Sequence, residues 1–263
     1  MNSARRPLIM GNWKMHHGGP SGLELAEAVS KHANALTNVD MVIAPPFTLL
    51  AACSAHLEGS RLGLAAQNLS SEKQGAFTGE ISATMLFECG AQWTLIGHSE
   101  RRSLYGETDQ MIRTKTEQAI AAGIRPVVCV GESLTERESG RTLDVVLGQV
   151  RAVVNVLAAM GDDEQMAIAY EPVWAIGTGK SAGPAEAEEV HAAIRALLAQ
   201  TSPALAERCR LLYGGSVKPE TAPALFGCPN VDGALVGGAS LDATAFGAIA
   251  RAPSSLSNQA ELS

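Results

Sequence analysis

Short apolar runs alternate with longer amphipathic stretches along the whole chain. In the amphipathic stretches, for example over residues 23–29, 111–120 and 190–198, apolar residues recur three and four positions apart, which predicts helices. The short runs are continuously apolar, which is typical of strands buried on both faces of a parallel sheet. We predict eight such strands: Leu8–Met10, Met41–Ala44, Leu62–Ala66, Thr94–Ile96, Val127–Val130, Met166–Tyr170, Leu211–Tyr213 and Ala234–Val236.

Eight repeats of strand and helix predict an α/β fold and favour a closed (β/α)8 barrel over an open sheet. Gly123 and Gly161 stand where helices should end, and Pro184 stands where one should begin. No linker divides the chain, so we expect a single domain over residues 1–252. Residues 253–263 are rich in Ser, Asn and Gln, and we expect them to form a disordered tail.

Composition narrows the possible partners. The 263 residues are 46% hydrophobic and 18% charged, enough to bury a substantial core. A net charge of -7 argues against nucleic acid or an anionic membrane as a partner, because both select for basic surfaces. No apolar stretch has the length of a signal peptide or a membrane span, so we expect a cytoplasmic protein.

The five cysteines are odd in number and lack the close spacing of a zinc site. They fit neither a disulfide framework nor a metal centre, and we interpret them as free thiols in a reducing compartment. We expect no metal and no cofactor.

Polar or glycine-rich residues follow most of the predicted strands directly. They are Asn12 and Lys14 after the first strand, Gln67-Asn68 after the third, His98 after the fourth, Glu171 after the sixth, Gly214-Gly215-Ser216 after the seventh and Gly237-Gly238 after the eighth. In a barrel of parallel strands these ends converge on one face, where the active site of such folds lies. We therefore expect these residues to share one pocket.

Taken singly, each of these residues has two interpretations. Glu171 could be an ion-pair partner at the barrel end or a general base. His98 could be a structural histidine or a catalyst. Lys14 could be a solvated lysine or a functional one, and each glycine pair could be a tight turn or a phosphate-binding loop.

Five segments resolve much of this ambiguity, because together they resemble the signature segments of triosephosphate isomerases. They read GNWKM at 11–15, IGHSERR at 96–102, AYEPVWAIGTGK at 169–180, YGGSV at 213–217 and VGGASL at 236–241. They occur in that family's order and span almost the whole chain. The resemblance implies a TIM barrel that interconverts dihydroxyacetone phosphate and D-glyceraldehyde 3-phosphate through an enediol(ate), in glycolysis and gluconeogenesis, without a cofactor.

The resemblance also implies roles for particular residues. Glu171 would be the base that removes the carbon-bound proton, and His98 the electrophile at the carbonyl oxygen. A helix beginning after His98 would disfavour a positive charge on its ring. Lys14 and Asn12 would contact the developing oxygen, and Lys14 also the phosphate. Glu100 would support or shuttle protons, although an ion pair with an Arg is a simpler explanation.

The phosphate would be held by loops after the last two strands and by a lid. The implied residues are Ser216, Gly237 and Gly238 in the loops and Gly177 in the lid. The segment 67–80 resembles the loop through which family members form homodimers, with Thr78 reaching into the neighbouring subunit beside an exposed Phe77.

Two rival functions remain open. Lys14 could form a Schiff base in a phosphosugar lyase, but His98 and Glu171 would then have no purpose. The chain could also be an inactive sensor of a phosphate ligand. Residues Met15, His16 and Thr221 depart from the family's usual pattern, and we expect them to affect packing rather than the reaction.

Overall fold

The computed structural model describes residues 5–161, 164–175 and 182–260, with side chains described as far as residue 253. Eight parallel strands close into one barrel in chain order, and the eighth strand pairs with the first. The (β/α)8 barrel is thereby confirmed. The strands are β1 Leu8–Asn12, β2 Asp40–Ala44, β3 Gly63–Ala66, β4 Trp93–Ile96, β5 Arg125–Val130, β6 Ala167–Tyr170, β7 Arg210–Tyr213 and β8 Gly233–Val236.

Helices connect the strands on the outside of the barrel. In the described part of the chain they are α1 Pro20–Ala35, α2 Phe47–His56, α3 Ala83–Glu88, α4 Ser99–Tyr105, α5 Asp109–Ala121, α6 Leu134–Glu138, α7 Thr142–Ala158, α8 Pro184–Thr201, α9 Pro203–Arg208, α10 Ala222–Phe226 and α11 Ala243–Ala260. Short 3-10 turns cover Val173–Ala175 and Gly238–Leu241. No described helix is long and apolar enough to cross a membrane.

Every strand contributes to one of two apolar layers, or to both. Alternate residues of β1 show how: Leu8 and Met10 belong to the cluster that fills the barrel, whereas Ile9 belongs to the layer between strands and helices. Successive strand residues point to opposite faces, so a strand covered on both faces must be apolar throughout. This is why the strands read as continuous runs in the sequence.

The strand ends differ from the sequence prediction by at most two residues. The largest consequence is at β1, which continues through Gly11 to Asn12, so Asn12 belongs to the barrel wall rather than to the following loop. Helix α11 crosses the boundary we placed at residue 252, with Pro253 inside it. The single domain over 1–252 and the disordered tail over 253–263 stay predictions.

A buried histidine behind β6 makes folding sensitive to acid. His191 on α8 is fully buried, and its ring lies edge-on to the Tyr170 ring with 5.9 Å between centroids. Its Nδ1 lies 3.2 Å from the Asn230 carbonyl oxygen and must donate, because a carbonyl only accepts. Its Nε2 has no partner among the described residues. Burial outweighs the Asn230 contact and lowers the pKa of His191 to about 4.

His191 should therefore destabilise the fold as the pH falls. The unfolded chain takes up this proton near pH 6.5, whereas the folded chain does so only near the lowered pKa of about 4. Between these values the unfolded state binds more protons, so the free energy of unfolding falls with decreasing pH. From pH 7 to pH 5 this residue should remove about 2 kcal/mol.

Urea unfolding of wild type, His191→Gln and the exposed control His16→Gln at both pH values checks this. The pH dependence should be shallower only in His191→Gln. Equal slopes for all three proteins would contradict the prediction.

Candidate active site

The carboxyl ends of the strands enclose a cavity of about 410 Å³. It lies where strand polarity places the active site of such barrels. The polar and glycine residues predicted from the sequence that line it are Asn12, Lys14, His98, Glu171, Gly214, Gly215, Ser216, Gly237 and Gly238. Gln67 and Asn68, which we expected in the same pocket, do not line it; Gln67 instead donates to the Lys14 and Ala44 carbonyl oxygens. Glu100 contacts this set through Lys14. Gly177 lies outside the described residues.

Lys14 is held in a strained backbone conformation at the edge of the cavity. Its φ is 50°, a left-handed value that non-glycine residues rarely adopt. Two hydrogen bonds fix it there: the Lys14 N–H donates to Asn12 Oδ1 at 3.0 Å, and Gln67 Nε2 donates to the Lys14 carbonyl oxygen at 2.8 Å. These two hydrogen bonds offset the cost of the strained backbone. The left-handed conformation in turn places the ammonium group among the polar side chains of the cavity.

Glu100 pairs with Lys14 and not with an arginine. Lys14 Nζ lies 2.6 Å from Glu100 Oε1. Of the two arginines next to Glu100 in sequence, Arg101 pairs with Glu107 and Arg102 with Asp109. The simpler explanation, an ion pair between Glu100 and an arginine, is therefore not what the described residues show, and the supporting role of Glu100 stays a prediction. Both side chains of the Lys14–Glu100 pair are partly exposed, so the pair orients the ammonium more than it stabilises the fold.

His98 caps the helix that follows it. Its Nδ1 accepts a hydrogen bond from the Glu100 N–H at 3.2 Å, at the start of α4. Because Nδ1 accepts, the ring carries its proton on Nε2. That Nε2 points at Glu171 Oε1, 3.0 Å away.

Glu171 is a buried carboxylate directly after β6. Its side chain is 3% exposed, and its Oε2 accepts a hydrogen bond from the Ser99 N–H at 2.9 Å. Its backbone N–H donates to the Val130 carbonyl oxygen at 2.7 Å, continuing the ladder between β5 and β6. The base predicted from the sequence is thus contacted by two groups of the His98 segment.

The two buried groups shift each other's protonation. Burial raises the pKa of Glu171, but His98 and the Ser99 N–H more than offset this, so the pKa lies below its ordinary value. Burial likewise lowers the pKa of His98, and the carboxylates of Glu171 and Glu100 reverse this, so the net direction is upward. The helix start alone favours a lower pKa for His98, and the carboxylate at Nε2, which that expectation did not include, acts in the opposite direction.

Glycines clear the space around Glu171 and after β8. A Cβ on Gly214 would lie 2.8 Å from Glu171 Cγ, closer than side-chain atoms pack. At Gly237 and Gly238 a Cβ would meet nothing within 4 Å, so the backbone there faces open cavity. A substrate phosphate could approach such a backbone without obstruction.

Some lining residues were missed by sequence reasoning. His16 and Lys218 both line the cavity and add positive charge or hydrogen-bond donors to it. Lys218 lies just after the Gly-Gly-Ser run, but a lysine beside a loop gives no signal that separates it from a solvated one. Among the described residues, no group of three or more His, Cys, Asp or Glu side chains could hold a metal ion.

The fold is a closed parallel barrel, and its carboxyl end holds a buried carboxylate, a histidine and an open glycine backbone. Together they define a (β/α)8-barrel enzyme suited to proton transfer on a small anion. Comparison with known proteins makes this specific. The family model described as triosephosphate isomerase matches residues 7–253, so the chain belongs to the triosephosphate isomerase family.

Individual relatives are similar to this chain over nearly their full length. The triosephosphate isomerase of Alcanivorax borkumensis is 50% identical over 248 residues, covering 94% of this chain and 98% of that protein. That of Herpetosiphon aurantiacus is 50% identical over 251 residues, covering 94% and 99%. The crystal structure of the Bartonella henselae triosephosphate isomerase superposes with a TM-score of 0.84 at 39% identity, covering 94% of this chain and 98% of that one.

Gly214→Ala should displace Glu171, the predicted base, without unfolding the barrel. The new Cβ would press on Glu171 Cγ, and displacements of this size at a reacting group lower rates by roughly tenfold to a hundredfold. The control is Gly148→Ala on α7, where a Cβ would meet nothing within 4 Å. We expect kcat to fall at least tenfold in Gly214→Ala and to stay unchanged in the control, measured in an isomerase assay. Equal kcat values would show that this contact does not position the base.

Proposed function

We propose that Glu171, His98, Lys14 and Asn12 carry out the reaction of the family, the interconversion of dihydroxyacetone phosphate and D-glyceraldehyde 3-phosphate in glycolysis and gluconeogenesis. The observation that carries the assignment is the 3.0 Å contact between Glu171 Oε1 and His98 Nε2 inside the cavity. A proton acceptor and a proton donor stand there side by side, as a proton shift between adjacent carbons requires.

The reaction follows from these two groups. Glu171 removes a proton from the carbon beside the carbonyl, and the C–H electron pair forms the carbon–carbon double bond of the enediol(ate). The carbonyl π pair moves to oxygen, which is stabilised by the Nε2–H of His98 and by the ammonium of Lys14. His98 donates a proton to this oxygen and recovers one from the neighbouring hydroxyl, and Glu171 returns its proton to the adjacent carbon.

Substrate binding should favour the neutral ring of His98 further. The upward direction of its pKa comes from the carboxylates of Glu171 and Glu100, which burial opposes. A substrate whose reacting carbons enter between the two groups separates the imidazole from Glu171 and removes the larger of these contributions. The ring then acts as a neutral donor at a carbonyl oxygen, in line with the expectation from the sequence.

The phosphate group is assigned to the part of the cavity formed after β7 and β8. Ser216, Gly237 and Gly238 line the cavity there, and Lys14 lies in the same cavity. Gly177, assigned to the lid by resemblance, completes the proposed set. Asn12 has two roles in this proposal: it contacts the reacting oxygen of the substrate, and its Oδ1 accepts a hydrogen bond from the Lys14 N–H.

A Schiff-base lyase is disfavoured by the contacts of Lys14. A lysine nucleophile needs its Nζ free to attack, yet this Nζ is held 2.6 Å from Glu100 Oε1, and a lyase would leave His98 and Glu171 without a role. Borohydride reduction in the presence of substrate separates the two functions: covalent labelling of Lys14 would support the lyase. A coupled isomerase assay distinguishes an active enzyme from a phosphate sensor.

Glu171→Gln should lower kcat by roughly two to four orders of magnitude, as general-base losses do. The change keeps the size of the side chain but removes the proton acceptor. Inorganic phosphate should still inhibit, because the proposed phosphate contacts lie elsewhere in the cavity. The control is Glu138→Gln on the exposed surface of α6. Near-normal turnover in Glu171→Gln would end the assignment of the base.

We further propose that the chain works as a homodimer, in the cytoplasm. Several large apolar side chains are exposed, which marks an interaction surface when they lie together. Phe77 and Met85 line one groove, and Tyr105 lines a second groove beside Gly79. The exposed set includes Met15, Phe77, Met85, Phe87, Leu104 and Tyr105.

The dimer loop should brace the site through Lys14. Gln67, the first residue of the 67–80 loop, donates to the Lys14 carbonyl oxygen, so a loop that moves will disturb Lys14. Thr78→Arg places a long charged side chain at the exposed tip and should give a monomer with kcat reduced about a hundredfold.

Sedimentation equilibrium and turnover are measured on the same sample, with the exposed Glu58→Arg as the control. A fully active monomeric variant would refute the bracing role. A monomeric wild type would refute the dimer.

A further inference from the structure

A glutamine on an outer helix holds the backbone beside Glu171 at both of its hydrogen-bonding groups. Gln149 lies in the middle of α7, and its Oε1 accepts a hydrogen bond from the Gly131 N–H at 2.8 Å. Its Nε2 donates to the Gly131 carbonyl oxygen at 3.2 Å. One side-chain amide thus provides the donor and the acceptor that a neighbouring strand would otherwise supply.

Gly131 needs this amide because its neighbouring strand has already ended. On one side, β4 stops at Ile96, which pairs with Val128, so the chain beyond β5 has no strand partner there. On the other side the ladder continues: Glu171 N–H donates to the Val130 carbonyl oxygen, and Val173 N–H to that of Glu132. The backbone of residues 130–132 therefore pairs with the chain around Glu171 beyond the end of β6.

The contact between Gly131 and Glu171 leaves no free space. A Cβ on Gly131 would lie 1.8 Å from the Glu171 carbonyl oxygen, so only glycine fits. Atoms packed this closely cannot move independently. A shift of the Gly131 peptide would move the Glu171 backbone, from which the carboxylate extends towards His98.

The helix that carries Gln149 is itself firmly placed. Val146, Val150 and Val153 of α7 are fully buried in the layer between strands and helices. Gln149 lies on the same side of the helix, three residues after Val146 and four before Val153. The amide thereby ties the position of the Gly131 peptide to the apolar layer of the fold.

We propose that Gln149 is a positioning residue for the isomerisation. It fixes the Gly131 peptide against the backbone of Glu171 and so sets where the carboxylate stands relative to the substrate and to His98. The proposal rests on the role proposed above for Glu171. It assigns no contact between Gln149 and the substrate.

Gln149→Met tests the proposal, because methionine matches the length of glutamine but can replace neither hydrogen bond to Gly131. We expect kcat to fall about tenfold, as small displacements of a reacting group can do. KM and the inhibition constant of inorganic phosphate should change less than twofold, since the proposed phosphate residues follow β7 and β8. Gln149→Glu still accepts from the Gly131 N–H but cannot donate to its carbonyl oxygen, so its kcat should be intermediate.

Val153→Ala is the matched control for a purely structural role. It removes buried apolar volume from the same helix and should lower the melting temperature without changing kcat. All variants are assayed at 25 °C after circular dichroism has shown that they are folded. A kcat for Gln149→Met within twofold of Val153→Ala would overturn the proposal.

If Gln149→Met does not fold, Gln149→Glu decides: an unchanged kcat overturns the proposal, and a kcat lowered at least threefold at an unchanged KM supports it. Inactive wild-type protein would instead overturn the proposed function.

Discussion

The seam between the first and last strands is the constraint on which the rest of the structure depends. Leu8 of β1 pairs with Gly233 of β8, and a Cβ on Gly233 would lie 1.9 Å from the Leu8 carbonyl oxygen. Only glycine allows the two strands to approach this closely. Closing the seam removes both free edges of the sheet, and because every strand pair is parallel, all eight carboxyl ends lie on one face of the closed barrel.

Closure also decides which loops can cooperate. The turn Gly238–Leu241 packs directly on β1, because a Cβ on Gly11 would lie 2.8 Å from the Cβ of Ser240. The glycine-rich wall after β8 therefore stands next to the strand that carries Asn12 and leads to Lys14. Residues more than 220 positions apart in sequence share one cavity for this reason.

Inside that cavity, charge is buried only where a partner meets it. Removing a carboxylate such as Glu171 from water costs several kcal/mol unless hydrogen bonds replace the lost water. The Ser99 N–H and His98 Nε2 provide these bonds. In the proposed reaction a substrate displaces one of these bonds, so the contacts that stabilise buried Glu171 also hold its carboxylate where the proposal needs a base.

The sequence predicts the scaffold better than the contacts. All eight strands were placed within two residues, because doubly buried strands must be continuously apolar. The gathering of Asn12, His98 and Glu171 followed from strand polarity, which needs no knowledge of side-chain conformation. Strand polarity cannot reveal that Glu100 pairs with Lys14, since that depends on rotamers and on a left-handed backbone at Lys14.

Gln149 is a second residue whose contacts the sequence does not predict. In the sequence it is one polar residue beside the apolar stripe of a helix, where a solvated side chain is the ordinary interpretation. Its two bonds to Gly131 exist only because β4 ends sooner than β5, a difference in strand length that periodicity does not resolve.

Local charge explains how a protein of net charge -7 can receive an anion. At physiological ionic strength the field of a surface charge is screened within about 8 Å, so carboxylates spread over the outer helices contribute little inside the cavity. Lys14 and Lys218 line the cavity itself, so their positive charges lie close to a bound anion. Lys14 adopts its strained φ of 50° to stand there, at a cost of about 1–3 kcal/mol. A stable fold can carry that cost, because the strain is confined to one residue that hydrogen bonds hold from both sides.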